Sequence, residues 1–124
     1  RVYVYGGVKP TPLTTLDPLD GAPGDRFGAA VDTEGTSILV GEPGGSSGGG
    51  GNAGAAFLYT LKGDRVGTFT ATDADQGDNL GTAVAMTANE LIVGSPGDDD
   101  VAANSGAAYV FELRYDPLLS KFTG

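Results

Sequence analysis

Apolar and polar positions follow a period of two in short runs separated by glycine and proline, and no stretch carries helical spacing. Val2 and Val4 alternate with Tyr3 and Tyr5, the pattern of a strand that presents different residues on its two faces. Gly6 and Gly7 close that run. After Pro10 to Pro12, Leu13 to Leu16 reads as an outer strand, because each proline removes a ladder donor and so favours a sheet edge. Phe27 to Val31 is expected to be a strand with Phe27, Ala29 and Val31 on one face and the small residues Gly28 and Ala30 on the other. Ile38 to Val40 is a continuous apolar run, expected of a middle strand covered on both sides. The DTEGTS segment from Asp32 joins these two as a hairpin turn. Phe57 and Tyr59 then alternate with Leu58 in a third strand, and Val66 to Thr72 alternates as a fourth, outer one.

The order recurs. GDRFGAAV from Gly24, ILVGEP from Ile38 and GAAFLY from Gly54 return as GDNLGTAV from Gly77, LIVGSP from Leu91 and GAAYVF from Gly106. Phe27 maps to Leu80 and Val40 to Val93 with a shift of 53, and the third block shifts by 52 because the loop before it is one residue shorter. Leu91 to Val93 is therefore a second middle strand, and Leu118 to Phe122 begins the equivalent of the fourth. Tyr3 stands where Phe57 and Tyr109 stand, so RVYVY is the remnant of an earlier copy. Four antiparallel strands in roughly 50 residues make the blade of a β-propeller, whose units bury apolar faces only against their neighbours. The expected fold is all-β, with about two full four-stranded antiparallel blades plus part of another. Residues 1–23 form the end of a preceding blade and a linker, 24–76 one blade and 77–124 the next. Arg1 falls inside a repeat, so the chain is expected to be a processed product or a piece of something longer.

Composition narrows the chemistry. Seven basic against 16 acidic residues give a net charge of −9, which repels nucleic acid and anionic membrane. No run approaches the roughly 20 apolar residues of a membrane span. Cysteine and histidine are absent, which removes thiolate nucleophiles, disulfides, the usual zinc sites and the commonest general base. The 22 glycines recur at matching places between apolar runs and are read as turns and close packing.

The sequence of FG, a strand, VGxP, a loop and GAAYVF resembles the FG-GAP repeat of integrin α-chain propellers and of many extracellular proteins. Phe27-Gly28 carries the FG of the first copy and Leu80-Gly81 replaces it in the second, while Gly41-Glu42-Pro43 and Gly94-Ser95-Pro96 match the GAP element. The resemblance implies a non-catalytic, extracellular or cell-surface propeller segment with a structural or adhesive role. Its implied partners are proteins, through self-association or further blades of the same longer chain. Integrin-type repeats also carry a DxDxDG calcium loop between the first two strands, which neither DTEGTS nor the segment around Asn89 contains.

Asp98, Asp99 and Asp100 form the sharpest acidic cluster, in a loop whose carboxylate and carbonyl oxygens suit calcium. This is the candidate metal site, and it defines the alternative function of a calcium-dependent adhesion module. Its structural counterpart is a solvated acidic loop, since three adjacent residues cannot all face one ion. Asp73, Asp75 and Asp78 resemble the start of a cation loop, but Asp25 and Asp78 precede the FG element at matching places, where a turn-forming aspartate explains both. A hydrolase built on two carboxylates would need a pair in fixed geometry. Ser46, Ser47 and Ser105 lie in glycine-rich surroundings unlike those of a preorganised nucleophile. The aromatic residues Tyr3, Tyr5, Phe57, Tyr59, Tyr109 and Phe111 are expected to pack between blades.

Overall fold

Glycine-bounded runs of β-branched and aromatic residues leave no segment of helical length, and the computed structural model consists of strands and turns. It describes residues 1–8, 10–18, 24–45, 52–71, 75–98 and 105–113. The strands are β1 (Val2–Val4), β2 (Thr14–Leu16), β3 (Ala30–Glu34), β4 (Ser37–Glu42), β5 (Ala55–Thr60), β6 (Arg65–Phe69), β7 (Ala83–Met86), β8 (Glu90–Ser95) and β9 (Ala107–Glu112). They pair as three antiparallel meanders: β1-β2, β3-β4-β5-β6 and β7-β8-β9. The middle sheet is a complete blade. In β1-β2, Val2 pairs with Leu16 as Ala56 pairs with Phe69 in β5-β6, so the first sheet is the outer half of a preceding blade. The expected strand at Leu118 to Phe122 lies outside the described residues.

The first strand of each blade starts later than its apolar pattern suggests. Phe27 and Gly28 occupy a turn, and pairing begins at Ala30. Arg26 at φ 59° and Gly28 at φ 91° are left-handed, a conformation that cannot continue a strand, and Gly81 at φ 100° repeats this before β7. Phe27 and Val31 accordingly do not share a covered face: Phe27 packs into the core while Val31 is exposed. The hairpin expected at DTEGTS is tighter than that segment, because Asp32 and Thr33 remain paired and only Gly35-Thr36 turns between Glu34 and Ser37. In the outer strand, pairing ends at Phe69 rather than reaching Thr72.

Two apolar layers hold the sheets face to face. Val2, Val4 and Leu16 of the preceding half-blade cover Phe27, Ile38, Val40, Ala55, Phe57 and Tyr59. Phe27 lies 6.1 Å from both the Phe57 and the Tyr59 ring centroids, edge-on to the latter. The second layer sets Leu39, Ala56, Leu58 and Phe69 against Leu80, Met86, Leu91 and Val93, with Tyr109 and Phe111 packed beside them. Phe69 and Phe111 meet across it at 5.1 Å. The layers exchange one aromatic: Leu16 faces the blade that carries Phe27, whereas its equivalent Phe69 faces the blade that carries Leu80. Leu80 is fully buried, so the departure from FG is balanced by volume on the opposing sheet.

Leu80→Phe alone is expected to overpack the second layer and to cost about 1–3 kcal/mol. Adding Phe69→Leu should restore most of that loss in a denaturant double-mutant cycle, and a purely additive result would rule out the exchange. Burial raises the Tyr59 phenol above its ordinary value of 10.0, with Arg65 acting against the shift. The fold thus favours the neutral phenol, and this contribution is intact below about pH 10 and lost as pH rises through the folded-state value. Denaturant midpoints measured across the alkaline range should fall less steeply for Tyr59→Phe than for the parent chain.

Candidate functional site

The FG and GAP turns are built to meet each other. Within a blade, the Gly28 amide donates to the Gly41 carbonyl at 3.0 Å and the Gly81 amide to the Gly94 carbonyl at 2.9 Å. The Gly44 amide donates to the Asp25 carbonyl at 2.8 Å, and the Gly97 amide to the Asp78 carbonyl at 3.0 Å. Between blades the same turns touch through bare backbone. The Gly81 carbonyl lies against Gly41 of the blade before it, so close that a Cβ on Gly41 would overlap the oxygen. Alongside, Leu80 forms a parallel bridge with Gly54, and the Asn79 and Leu80 amides donate to the Asn52 and Ala53 carbonyls at 2.9 and 3.0 Å. Asp32 extends the junction: its carboxylate accepts from the Thr33 amide and, across the blades, from the Met86 amide, each at 2.8 Å.

Asp98, the first of the three adjacent aspartates, is a buried structural acceptor. Its carboxylate accepts the Tyr109 hydroxyl at 2.7 Å, its amide donates to the Ser95 carbonyl at 3.2 Å, and its carbonyl accepts the Gly106 amide at 2.8 Å. As placed, this carboxylate braces the loop against the third strand. Asp99 and Asp100 lie outside the described residues. Among the described residues no group of three or more carboxylates converges as a cation site would require. Asp78 takes the turn role: its carboxylate accepts the Asp75 amide at 2.8 Å while its carbonyl accepts the Ser95 hydroxyl at 2.8 Å. Asp73, Ser46 and Ser47 fall outside the described residues.

The first blade solves the same local problem with a different residue. Gly45 is the equivalent of Asp98, and a Cβ there would run into the carboxylate of Glu42, which is itself buried. An acidic side chain therefore fills this corner in both blades, delivered by Glu42 in GEPGG and by Asp98 in GSPGD. Comparing those two segments position by position reveals the exchange, which a search for acidic clusters passes over. Among the described residues Glu90 and Glu112 face each other as a hydrolase's carboxylates would, opposite in β8 and β9 and lining a groove with Asn89 and Leu113. Both glutamates are exposed.

The feature that alternation alone did not reveal is the contrast between equivalent apolar positions. Leu39 is 0% exposed and its counterpart Ile92 is 43% exposed, while Leu58 at 1% corresponds to Val110 at 57%. The second middle strand is thus covered on one side, contrary to the expectation for Leu91 to Val93. Tyr3 and Tyr5 are likewise 52% and 53% exposed, unlike Phe57, Tyr59, Tyr109 and Phe111, which pack between sheets as expected. Counting which faces have a neighbouring blade would have located all four.

Removing the Tyr109 hydroxyl withdraws a donor from a buried carboxylate, so Tyr109→Phe should cost about 1.5–3 kcal/mol without added metal. Equal denaturant midpoints for the variant and the parent would show that the bond contributes nothing.

No curated protein matches the chain. The FG-GAP repeat family model matches residues 13–59 and 64–111, each segment running from the outer strand of one blade to the third strand of the next. Matched over most of its length, with its paired glycine turns placed at each blade junction, the chain belongs to the FG-GAP repeat family.

Proposed function

We propose that the chain is a non-catalytic segment of an extracellular or cell-surface structural or adhesive protein, acting as a scaffold or assembly unit through blade-to-blade packing. FG-GAP repeats build β-propeller-type adhesion and structural modules and are typically non-catalytic. They are typical of extracellular and integrin-like proteins, and among the described residues no helix is long and apolar enough to cross a membrane. The observation that carries the reading is the exposure of Ile92 and Val110, whose counterparts Leu39 and Leu58 are buried under the next blade. A surface built like an interior layer is a surface for packing. The partners are proteins that offer a matching sheet face, either a further blade or another copy of the chain.

Light scattering tests this directly. The particle mass should climb above that of the 12.4 kDa chain as concentration increases. Added salt should strengthen the association by screening the shared negative charge, and a calcium chelator should leave it unchanged. A folded monomer under every condition would end the self-association reading. Dissociation on chelation would instead support the calcium-dependent module centred on Asp98, Asp99 and Asp100.

A further inference from the structure

Oxidising chemistry has few places to act on this chain. Cysteine, tryptophan and histidine are absent, and the single methionine, Met86, is buried in the second apolar layer. Side-chain oxidation follows exposure, so the residues open to it are tyrosines. Of the five tyrosines, Tyr59 is buried, and Tyr109 packs beside the second layer with its hydroxyl bonded to Asp98 at 2.7 Å. Tyr3 and Tyr5 differ from both, at 52% and 53% exposed.

The first strand sets these two rings side by side. Val2 and Val4 turn to the first apolar layer, and alternation places Tyr3 and Tyr5 on the opposite face, roughly 6.5 Å apart along the strand. Tyr3 pairs with Thr15 across β1-β2, and the Arg1 guanidinium, held by Asp17 at 2.8 Å, donates to its hydroxyl. This face lies at the far end of the array from Ile92 and Val110, so a protein seated on those residues leaves it open.

We infer that Tyr3 and Tyr5 are a covalent modification site, at which a peroxide activated by a one-electron oxidising catalyst joins copies of the chain through dityrosine bonds. Each phenol gives up one electron and one proton. The two phenoxyl radicals couple through ring carbons ortho to the oxygens, and the hydrogens on those carbons shift to the oxygens to restore both phenols. The peroxide takes up the two electrons and two protons and leaves as two waters. The scaffold reading enters only as the use of this chemistry, since a covalent bond would fix an assembly that burial holds reversibly.

The test treats the full chain, residues 1–124, with hydrogen peroxide and a haem peroxidase and separates the products on denaturing gels, where only covalent joining counts. Dityrosine fluorescence should appear at twice the mass of the chain, and peptide mapping should place the link on Tyr3 and Tyr5. Tyr3→Phe and Tyr5→Phe should each lower the yield roughly twofold, as two independent sites would, and the double variant should lose it. Phenylalanine keeps the ring and removes only the oxidisable phenol, and an unchanged melting temperature checks that the double variant is folded. Dimers that persist in the folded double variant, through Tyr115, which lies outside the described residues, or through any other ring, would overturn the assignment. So would fluorescence confined to the mass of one chain, which would mean that Tyr3 couples to Tyr5 of the same copy. Absence of any coupling, while free tyrosine couples under the same conditions, would end the proposal. The scaffold reading is tested by native mass and this one by mass after denaturation, so either can fail without the other.

Discussion

The backbone contact between Gly81 and Gly41 is the constraint on which the array depends. Two sheets with apolar faces can approach closely only where side chains give way, and this junction gives way completely, placing a carbonyl where a Cβ would otherwise stand. The same glycine donates its amide to the GAP glycine of its own blade. One residue therefore registers two sheets at once: its N–H fixes the turn within a blade, and its C=O fixes the distance to the blade before. The left-handed φ at Gly81 allows both groups to point in those directions, and this requirement separates the glycine from any alanine in the same apolar surroundings. Asp32 and the Gly54–Leu80 bridge then add polar register to a contact otherwise made by side-chain burial.

Much of this fold was legible in the residues. Alternation in Val2 to Tyr5 and in Phe57 to Tyr59 identified strands and faces, and the shift of 53 between Phe27 and Leu80 identified blades. The boundaries of the first strands were not legible, because Phe27-Gly28-Ala29 reads as apolar and small whether it pairs or turns. Only the positive φ of Arg26 and Gly28 distinguishes the two, and arginine gives no compositional warning of it. The covering of strands was legible only for β4. Leu91 to Val93 has the same apolar character as Ile38 to Val40, yet periodicity reports what a strand is suited to bury and not whether a neighbour is there to bury it.

The acidic loop shows the same difference at smaller scale. Of three adjacent aspartates that invite a cation, Asp98 stands in the corner between the GAP turn and the third strand, where its buried carboxylate meets a hydroxyl. Glu42 enters the equivalent corner from a position three residues earlier, counted in repeat terms. An acidic side chain thus stands beside both GAP elements without occupying the same position twice.

Volume is conserved across the blade junctions in a way that backbone geometry is not free to vary. The contact between Gly81 and Gly41 is made by bare backbone and cannot by itself select the side chains that flank it. The side chains differ: Leu16 with Phe27 and Phe69 with Leu80 distribute one aromatic and one aliphatic residue in opposite senses across the two layers. Placing Phe27 opposite Phe69 would crowd a close-packed layer, and placing Leu80 opposite Leu16 would leave a void, each at a cost of the order of 1–3 kcal/mol. Generic backbone contact thus supplies adhesion between blades, and the handing of an aromatic from one sheet to the other supplies their order.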